Sequence, residues 1–164
     1  MDEILILTTG GTIDKVYFDA KSDYEIGDSV IDELLTKAQV RRPYQILKLM
    51  RKDSLTLTDV DRKLVVDTVA GCEHRQIIIT HGTDTMTQTG SALAAIAGKT
   101  IVLTGALAPA RFTESDATFN IGMAFGAAQI LPPGVYIAMN GQIFDADKVT
   151  KNRQSNQFTA LSGS

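Results

Sequence analysis

Five short apolar runs, separated by segments with helical spacing, constrain the fold of this chain most. The runs cover residues 4–7, 46–50, 76–80, 100–103 and 135–139. Apolar positions recur every three to four residues between Ser29 and Ala38, and we predict further helices over residues 58–69, 85–97 and 115–129. Strands that alternate with helices form βαβ units and a parallel sheet covered on both faces. We therefore expect an α/β fold, a three-layer αβα sandwich with a mostly parallel sheet of the Rossmann-like or flavodoxin-like type.

Two polar stretches interrupt this alternation. Residues 12–27 carry Tyr24 and read as one long loop, and a polar tail is predicted from about Asp145. Long connections inside a compact domain are uncommon and are often functional lids. Residues 12–27 are therefore a candidate lid.

Bulk properties narrow the partners and the compartment. A chain of 164 residues is expected to form one domain, and its net charge of −3 gives no basic footprint for nucleic acid. A single cysteine, Cys72, excludes an internal disulfide and fits a reducing compartment. The acidic start lacks the features of a secretory signal, and no apolar run approaches the length of a membrane span. We expect a cytoplasmic protein with no nucleic-acid or membrane partner.

Hydroxyl side chains cluster where the predicted strands end. Thr9-Gly10-Gly11-Thr12 follows the first strand, and His81-Gly82-Thr83-Asp84 follows the third. Asp53 and Ser54 follow the second strand. The carboxyl ends of parallel strands meet at one edge, where α/β proteins bind ligands. Threonine hydroxyls beside a carboxylate suit a nucleophile with a proton relay.

Plainer interpretations exist for each of these residues. The threonines near Gly11 also suit a strand end, and Thr83-Asp84 also suits the N-cap of the next helix. Lys151, on its spacing alone, reads as a solvated surface lysine. His81 has no partner at metal-ligand spacing, and the glycines lack the third member of a dinucleotide fingerprint. We predict no metal and no cofactor.

Taken together, the motifs resemble those of the bacterial-type L-asparaginase family, in its catalytic amino-terminal domain. The matching segments are residues 9–13, 81–86, 104–106 and 149–151, with weaker matches at 21–27 and 53–54. They occur in the family's order over essentially the whole chain. The first two motifs together are highly specific.

The resemblance implies an amidohydrolase that converts L-asparagine to L-aspartate and ammonia. Thr12 would be the nucleophile and would form a covalent acyl-enzyme with the side-chain amide carbon. Thr83, Asp84 and Lys151 would form a polarised chain that moves protons. Tyr24 would lie on the mobile loop that closes over the ligand and orients Thr12.

The same resemblance implies substrate contacts from Gly11, Asp53, Ser54, Thr83, Asp84 and Ala106. Ser54 and Asp84 would hold the α-carboxylate and α-amino groups, beside Asp53. Backbone N–H groups near Gly11 and Thr83 would stabilise the oxyanion. The Ala106 carbonyl would receive the departing nitrogen.

The chain departs from the family pattern in two ways. The family's subunit is about twice as long and has a smaller carboxyl-terminal domain that this sequence lacks, and Leu55 follows Ser54 where members commonly carry a polar side chain. We expect residues 1–164 to be a single catalytic domain that completes its site as a homodimer or homotetramer, with Arg51 and Lys52 as candidate compensating contacts. An isolated domain of a longer protein is the alternative.

Two other functions remain open at this point. A glutaminase or another amide hydrolase of the same family shares the two threonine motifs. A non-catalytic amino-acid sensor is also possible because fold alone does not prove activity.

Overall fold

The computed structural model describes residues 2–163. Its strands are β1 (Ile4–Gly10), β2 (Lys15–Phe18), β3 (Asp23–Ile26), β4 (Tyr44–Lys52), β5 (Gln76–Thr80), β6 (Thr100–Thr104), β7 (Gly134–Met139), β8 (Gln142–Asp145), β9 (Val149–Asn152) and β10 (Gln157–Ala160). Its α-helices are α1 (Ile31–Lys37), α2 (Asp59–Gly71), α3 (Met86–Leu93) and α4 (Ala117–Ile130). Short 3-10 turns follow β1, β4 and β5, so each of these strands leads into a tight turn rather than an open loop.

Six strands form the main sheet in the order β4-β1-β5-β6-β7-β8. The first five pair in parallel, and β8 pairs antiparallel with β7. Those five strands contain the five apolar runs, and their order, 2-1-3-4-5 by position in the chain, is that of flavodoxin-like folds. The predicted fold class is confirmed.

Two apolar cores lie on opposite faces of this sheet. One core joins α2 and α3 to the sheet through side chains such as Val65, Val69 and Leu93. The other joins α1 and α4 through Ile31, Ala124 and other small or branched side chains. The strands β1 and β6 are buried along their whole length, as parallel strands covered on both faces must be. Within residues 2–163, no helix has both the length and the apolar content to cross a membrane.

Helix α2 shows how local sequence sets an element boundary. The Thr58 hydroxyl accepts a hydrogen bond from the Asp61 amide, and the Asp61 carboxylate accepts one from the Thr58 amide. This capping box satisfies N–H groups that a helix end leaves without partners, so the helix predicted over residues 58–69 begins with Thr58 as its N-cap. Helix α3 ends at Leu93, short of the predicted 97, because the chain tightens there: the Ala94 amide bonds back only three residues, to Ser91.

The prediction of an irregular loop over residues 12–27 was wrong. After a 3-10 turn at Thr12–Asp14, strands β2 and β3 form an antiparallel hairpin in which Tyr17 pairs with Tyr24. Most of the hairpin is exposed, so it lacks the buried apolar run that reveals the central strands. We refer to residues 15–26 as the β2–β3 hairpin.

The prediction of a polar tail from Asp145 was also wrong. Asn140 and Gly141 both have positive φ, 53° and 69°, and join β7 to β8 in a two-residue turn. Beyond β8, strands β9 and β10 form a second hairpin, which is anchored by the buried side chains of Val149 and Phe158. The β9–β10 hairpin therefore packs against the core.

Candidate active site

The candidate site lies where strand order reverses, between β1 and β5. Parallel α/β sheets bind ligands at such a point, at the carboxyl ends of their strands. Gly11 has a φ of 92°, and a Cβ there would lie 2.5 Å from the Gly82 nitrogen. A Cβ on Gly82 would in turn lie 2.6 Å from the Cβ of Ser54. Only glycine permits this approach, so the turns after β1, β4 and β5 pack backbone to backbone.

Hydroxyl groups fasten these turns to one another. The Thr9 hydroxyl donates to the Thr80 carbonyl at 2.8 Å, which links β1 to β5 at their ends. The Thr85 hydroxyl donates to the Ser54 carbonyl at 2.8 Å, and the Thr85 amide donates to the Ser54 hydroxyl at 3.3 Å. Ser54 is 2% exposed, so its hydroxyl also has a structural role beside any role in binding.

Lys151 reaches the turn after β5 and binds the side chains of Thr83 and Asp84. Its ammonium donates to the Thr83 hydroxyl at 2.7 Å and to the Asp84 carboxylate at 2.7 Å. The lysine side chain is 9% exposed and that of Asp84 is 30% exposed. The interpretation of Lys151 as a solvated surface residue is therefore excluded. A hydroxyl, an ammonium and a carboxylate in direct contact can pass a proton and fix its path.

The β9–β10 hairpin delivers this lysine across a long sequence separation. Lys151 lies on β9 opposite Phe158 of β10, whose side chain is buried in the core below α2 and α3. The Phe158 amide donates to the Asn140 side chain at 2.7 Å, which ties the hairpin to the turn after β7. The segment predicted to be a polar tail thus carries the candidate site residue Lys151 on a hairpin that is anchored in the core. Phe158 is the sequence signal that we missed.

Cationic side chains lie beside the carboxylates of Asp84 and Asp53. Arg153 lies 3.7 Å from the Asp84 carboxylate, and Lys15 lies 3.5 Å from that of Asp53. Asp53 also accepts from the Leu55 amide at 2.9 Å and so caps the 3-10 turn that holds Ser54. Across residues 2–163, no group of three or more His, Cys, Asp and Glu side chains is placed to hold a metal ion.

Arg51 and Lys52 are engaged away from these carboxylates. The Lys52 ammonium binds Asp61 at the start of α2 at 2.8 Å, and Arg51 binds Asp28 at 3.0 Å. The structure thus gives both cations other partners, and it does not support the compensating substrate contacts that we expected from them.

His81 has a positioning role that the sequence did not reveal. A carbonyl oxygen only accepts, so the His81 Nδ1 carries the proton that is donated to the Gly82 carbonyl at 2.6 Å, and Nε2 accepts from the Thr89 hydroxyl at 2.7 Å. Burial lowers the pKa of His81 from 6.5 to about 4, so the ring is neutral near pH 7. The imidazole fixes the peptide that joins Gly82 to Thr83. The pairing of His81 with Thr89, eight residues away on α3, becomes visible only once α3 is placed.

The other predicted residues lie on separate segments. Thr12 follows Gly11 directly, is partly buried and opens the 3-10 turn. Tyr24 lies on the β2–β3 hairpin, 44% exposed, with its ring against Tyr17 and Phe112. Ala106 is buried and follows β6 by two residues. Direct hydrogen bonds join Thr83, Asp84 and Lys151, whereas Thr12, Tyr24 and Ala106 are placed by their own loops.

Comparison with known proteins agrees with this geometry. Residues 3–163 match the family described as Asparaginase, N-terminal. The chain belongs to the asparaginase family. The resemblance stated from the motifs is confirmed, and the matched segment includes every strand from β1 to β10.

Individual asparaginases are similar over nearly the whole chain. The L-asparaginase of Thermococcus kodakarensis is 32% identical over 161 residues, which cover 91% of this chain and 47% of that protein. Its solved structure superposes with a TM-score of 0.82 at 30% identity, covering 96% of this chain and 51% of that one. The structure of a probable cytoplasmic L-asparaginase from Campylobacter jejuni gives a TM-score of 0.85 at 27% identity, covering 99% of this chain and 54% of that one.

Relatives whose names give another activity or another location also match. A probable periplasmic L-asparaginase of Haemophilus influenzae is 32% identical over 162 residues, covering 92% of this chain and 46% of that protein. A glutaminase-asparaginase of Acinetobacter glutaminasificans is 29% identical over 164 residues, covering 92% of this chain and 50% of that protein. The chain thus spans about half the length of the curated relatives that it matches.

Proposed function

We propose that this chain is an amidohydrolase that converts L-asparagine to L-aspartate and ammonia through a covalent acyl-enzyme on Thr12. The observation that carries the proposal is the pair of 2.7 Å contacts from Lys151 to Thr83 and Asp84. Withdrawing an ammonium group from water is costly unless it gains partners of this kind. A protein that only binds an amino acid has no use for a lysine in contact with a threonine hydroxyl. This contact therefore favours catalysis over the sensor alternative.

The chemistry explains why several groups are needed. A threonine hydroxyl is a weak nucleophile near pH 7 and requires a base. A lysine accepts a proton only as a neutral amine, so Lys151 would act as the base from that form, and Asp84 would orient it. General-base catalysis contributes roughly 10²–10⁴-fold, and one oxyanion donor about 10²–10³-fold. Both contributions are needed for useful turnover of an amide.

The proposed reaction has two halves. The Thr12 Oγ1 attacks the side-chain amide carbon while its proton enters the relay of Thr83 and Lys151, and backbone N–H groups of the turns at Gly11 and Thr83 face the resulting oxyanion. The carbon–nitrogen bond then breaks, and the nitrogen takes up a proton and leaves as ammonia past the Ala106 carbonyl. A water molecule next attacks the ester, and Thr12 regains its proton as aspartate departs.

Ser54, Asp53 and Asp84 are the proposed groups for the α-carboxylate and α-amino ends of the substrate. Their turns are packed against each other at Gly82, which supports a fixed distance between these groups. Glutamine is the second candidate substrate, and similarity to a glutaminase-asparaginase supports it. Its side chain is longer by one methylene, so the same site would hold its amide at a different distance from Thr12.

Ammonia release from L-asparagine and from L-glutamine tests the proposal directly. We expect release from asparagine by the wild-type chain, loss of nearly all of it in Thr12→Ala, and partial retention in Thr12→Ser, which keeps a hydroxyl. Thr159→Ala is the matched control because Thr159 is an exposed threonine on β10. Turnover that survives in Thr12→Ala would overturn the assignment of the nucleophile. If the wild-type chain releases ammonia from neither asparagine nor glutamine, the proposed activity is overturned.

We further propose that residues 1–164 act as one catalytic domain that assembles as a homodimer or homotetramer in the cytoplasm. The single cysteine and the similarity to a probable cytoplasmic L-asparaginase from Campylobacter jejuni support the compartment. Light scattering after size-exclusion chromatography measures the assembly. A monomer at the concentration where turnover is full would contradict the proposed self-association.

A further inference from the structure

The loop between β6 and α4, residues 105–116, is held rigidly by side chains at the start of α4. The Asp116 carboxylate accepts from the Leu107 and Ala108 amides at 3.0 and 3.2 Å. The Asn120 amide group donates to the Gly105 carbonyl at 2.9 Å. Asn120 is 1% exposed, so this end of the loop is set by the core. We refer to residues 105–116 as the β6–α4 loop.

The β6–α4 loop also donates hydrogen bonds to the base of the β2–β3 hairpin. The Ala110 amide donates to the Ile13 carbonyl at 3.0 Å. The Arg111 guanidinium donates to the Asp14 carbonyl at 3.4 Å and to the Asp28 carbonyl at 3.3 Å. Ile13 and Asp14 precede the hairpin and Asp28 follows it, so the loop holds both segments from which the hairpin extends.

The next residue of the loop, Phe112, extends this contact into the hairpin itself. Its ring lies 5.8 Å from the ring of Tyr24 at 67°, an edge-to-face arrangement. Tyr24 meets Tyr17 on β2 at 5.4 Å and 63°. Phe112 is 45% exposed, so core burial does not account for its position. Two rings attract each other edge to face only at a suitable distance and angle, so this contact favours one position of the Tyr24 ring. It connects the hairpin to the β6–α4 loop, whose start is set by the core.

We propose that Phe112 is a positioning residue that holds Tyr24, and with it the β2–β3 hairpin, in the position that the structure shows. The proposal rests on the proposed function for its kinetic consequence, because Tyr24 matters to turnover only if the site is an amidase site. Without Phe112 the hairpin keeps its base contacts to Arg111 but loses the contact that fixes Tyr24. This position of the hairpin is then less populated, and because Tyr24 is a proposed site residue, apparent affinity falls with that population.

A double-mutant cycle on kcat/KM for L-asparagine tests whether Phe112 acts through Tyr24. We expect Phe112→Ala to lower kcat/KM by roughly 2- to 10-fold, the range that one aromatic pair supplies. We expect the double variant to be no worse than Tyr24→Ala alone, and Phe112→Tyr, which keeps a ring, to restore the wild-type value. Phe119→Ala is the control, since Phe119 is an exposed phenylalanine on α4. Losses that multiply in the double variant would overturn the proposal.

Trypsin cleavage at Lys21 supplies a readout that does not depend on activity. Lys21 is exposed in the 3-10 turn that joins β2 to β3. We expect faster cleavage there in Phe112→Ala and an unchanged rate in Phe119→Ala, at equal melting temperature. Equal cleavage rates in wild type and Phe112→Ala would overturn the positioning role. If wild type hydrolyses no amide, the proposed function fails, while this experiment still decides whether Phe112 holds the hairpin.

Discussion

Asp14 is a buried carboxyl group at the base of the β2–β3 hairpin, and its ionisation makes stability depend on pH. Its side chain is 1% exposed and accepts from the Val30 amide at 3.1 Å. Burial raises the pKa of Asp14 from 3.8 to about 6, although the Val30 amide and the Arg111 guanidinium pull it down. Removing this charge by Asp14→Asn keeps an oxygen for the Val30 amide.

The magnitude follows from the difference in pKa between the folded and unfolded chains. A shift from 3.8 to about 6 corresponds to about 3 kcal/mol, at roughly 1.4 kcal/mol per unit. Below pH 4 both states hold the proton, so Asp14 carries no penalty. Between pH 4 and pH 6 the unfolded chain loses the proton first, so the free energy of unfolding falls, and above pH 6 the penalty is constant.

Urea unfolding of wild type and Asp14→Asn near pH 3.5 and near pH 7.5 measures this effect. We expect the stability of Asp14→Asn relative to wild type to rise by about 3 kcal/mol between the two conditions. The protonation of His81 is common to both proteins and cancels in the comparison. Asp147→Asn, at an exposed position, is the control for loss of a charge alone. A difference that is independent of pH, or that favours wild type at the higher pH, would refute the reasoning.

Three further predictions concern single contacts. Lys151→Met should lower kcat for asparagine by roughly 10²–10⁴-fold, because it removes the proposed base, whereas the same change at the exposed Lys148 should not; steady-state ammonia release decides this. Thr58→Ala should lower the free energy of unfolding by about 1 kcal/mol through loss of the helix cap, and an unchanged urea midpoint would contradict it. Thr89→Val should cost about 1–3 kcal/mol because it leaves the His81 Nε2 buried without its partner; thermal unfolding measures the loss, and a neutral effect would show that this contact is not stabilising.

The central sheet could be predicted from the sequence because burial on both faces leaves a clear pattern. The strand Gln76–Thr80, for example, contains three consecutive isoleucines. Thr58 is a residue type that favours the N-cap position, and it marks the start of α2. The β2–β3 and β9–β10 hairpins had weaker signals. The β2–β3 hairpin is mostly exposed, and its paired residues Tyr17 and Tyr24 are seven positions apart across a turn. Asn140-Gly141 is a strong hairpin signal that we did not use.

The candidate site divides in the same way. Thr12, Thr83 and Asp84 were identified because each follows a strand on the carboxyl edge, which is a property of the chain order. Lys151 was suggested by resemblance alone, since its contact with Thr83 spans 68 residues and depends on how β9 packs. Arg51 and Lys52 pair with Asp28 and Asp61, which their adjacency to Asp53 in the sequence could not show, because sequence order does not tell which carboxylate a flexible side chain reaches.

Trapping of the acyl-enzyme tests the central claim most directly. Wild-type protein mixed with L-asparagine, quenched in acid during turnover and digested should yield a peptide that carries one aspartyl group on Thr12. We expect this adduct in wild type and its absence in Thr12→Ala. An adduct on Thr83 instead, or rapid ammonia release with no adduct on any residue, would contradict the account.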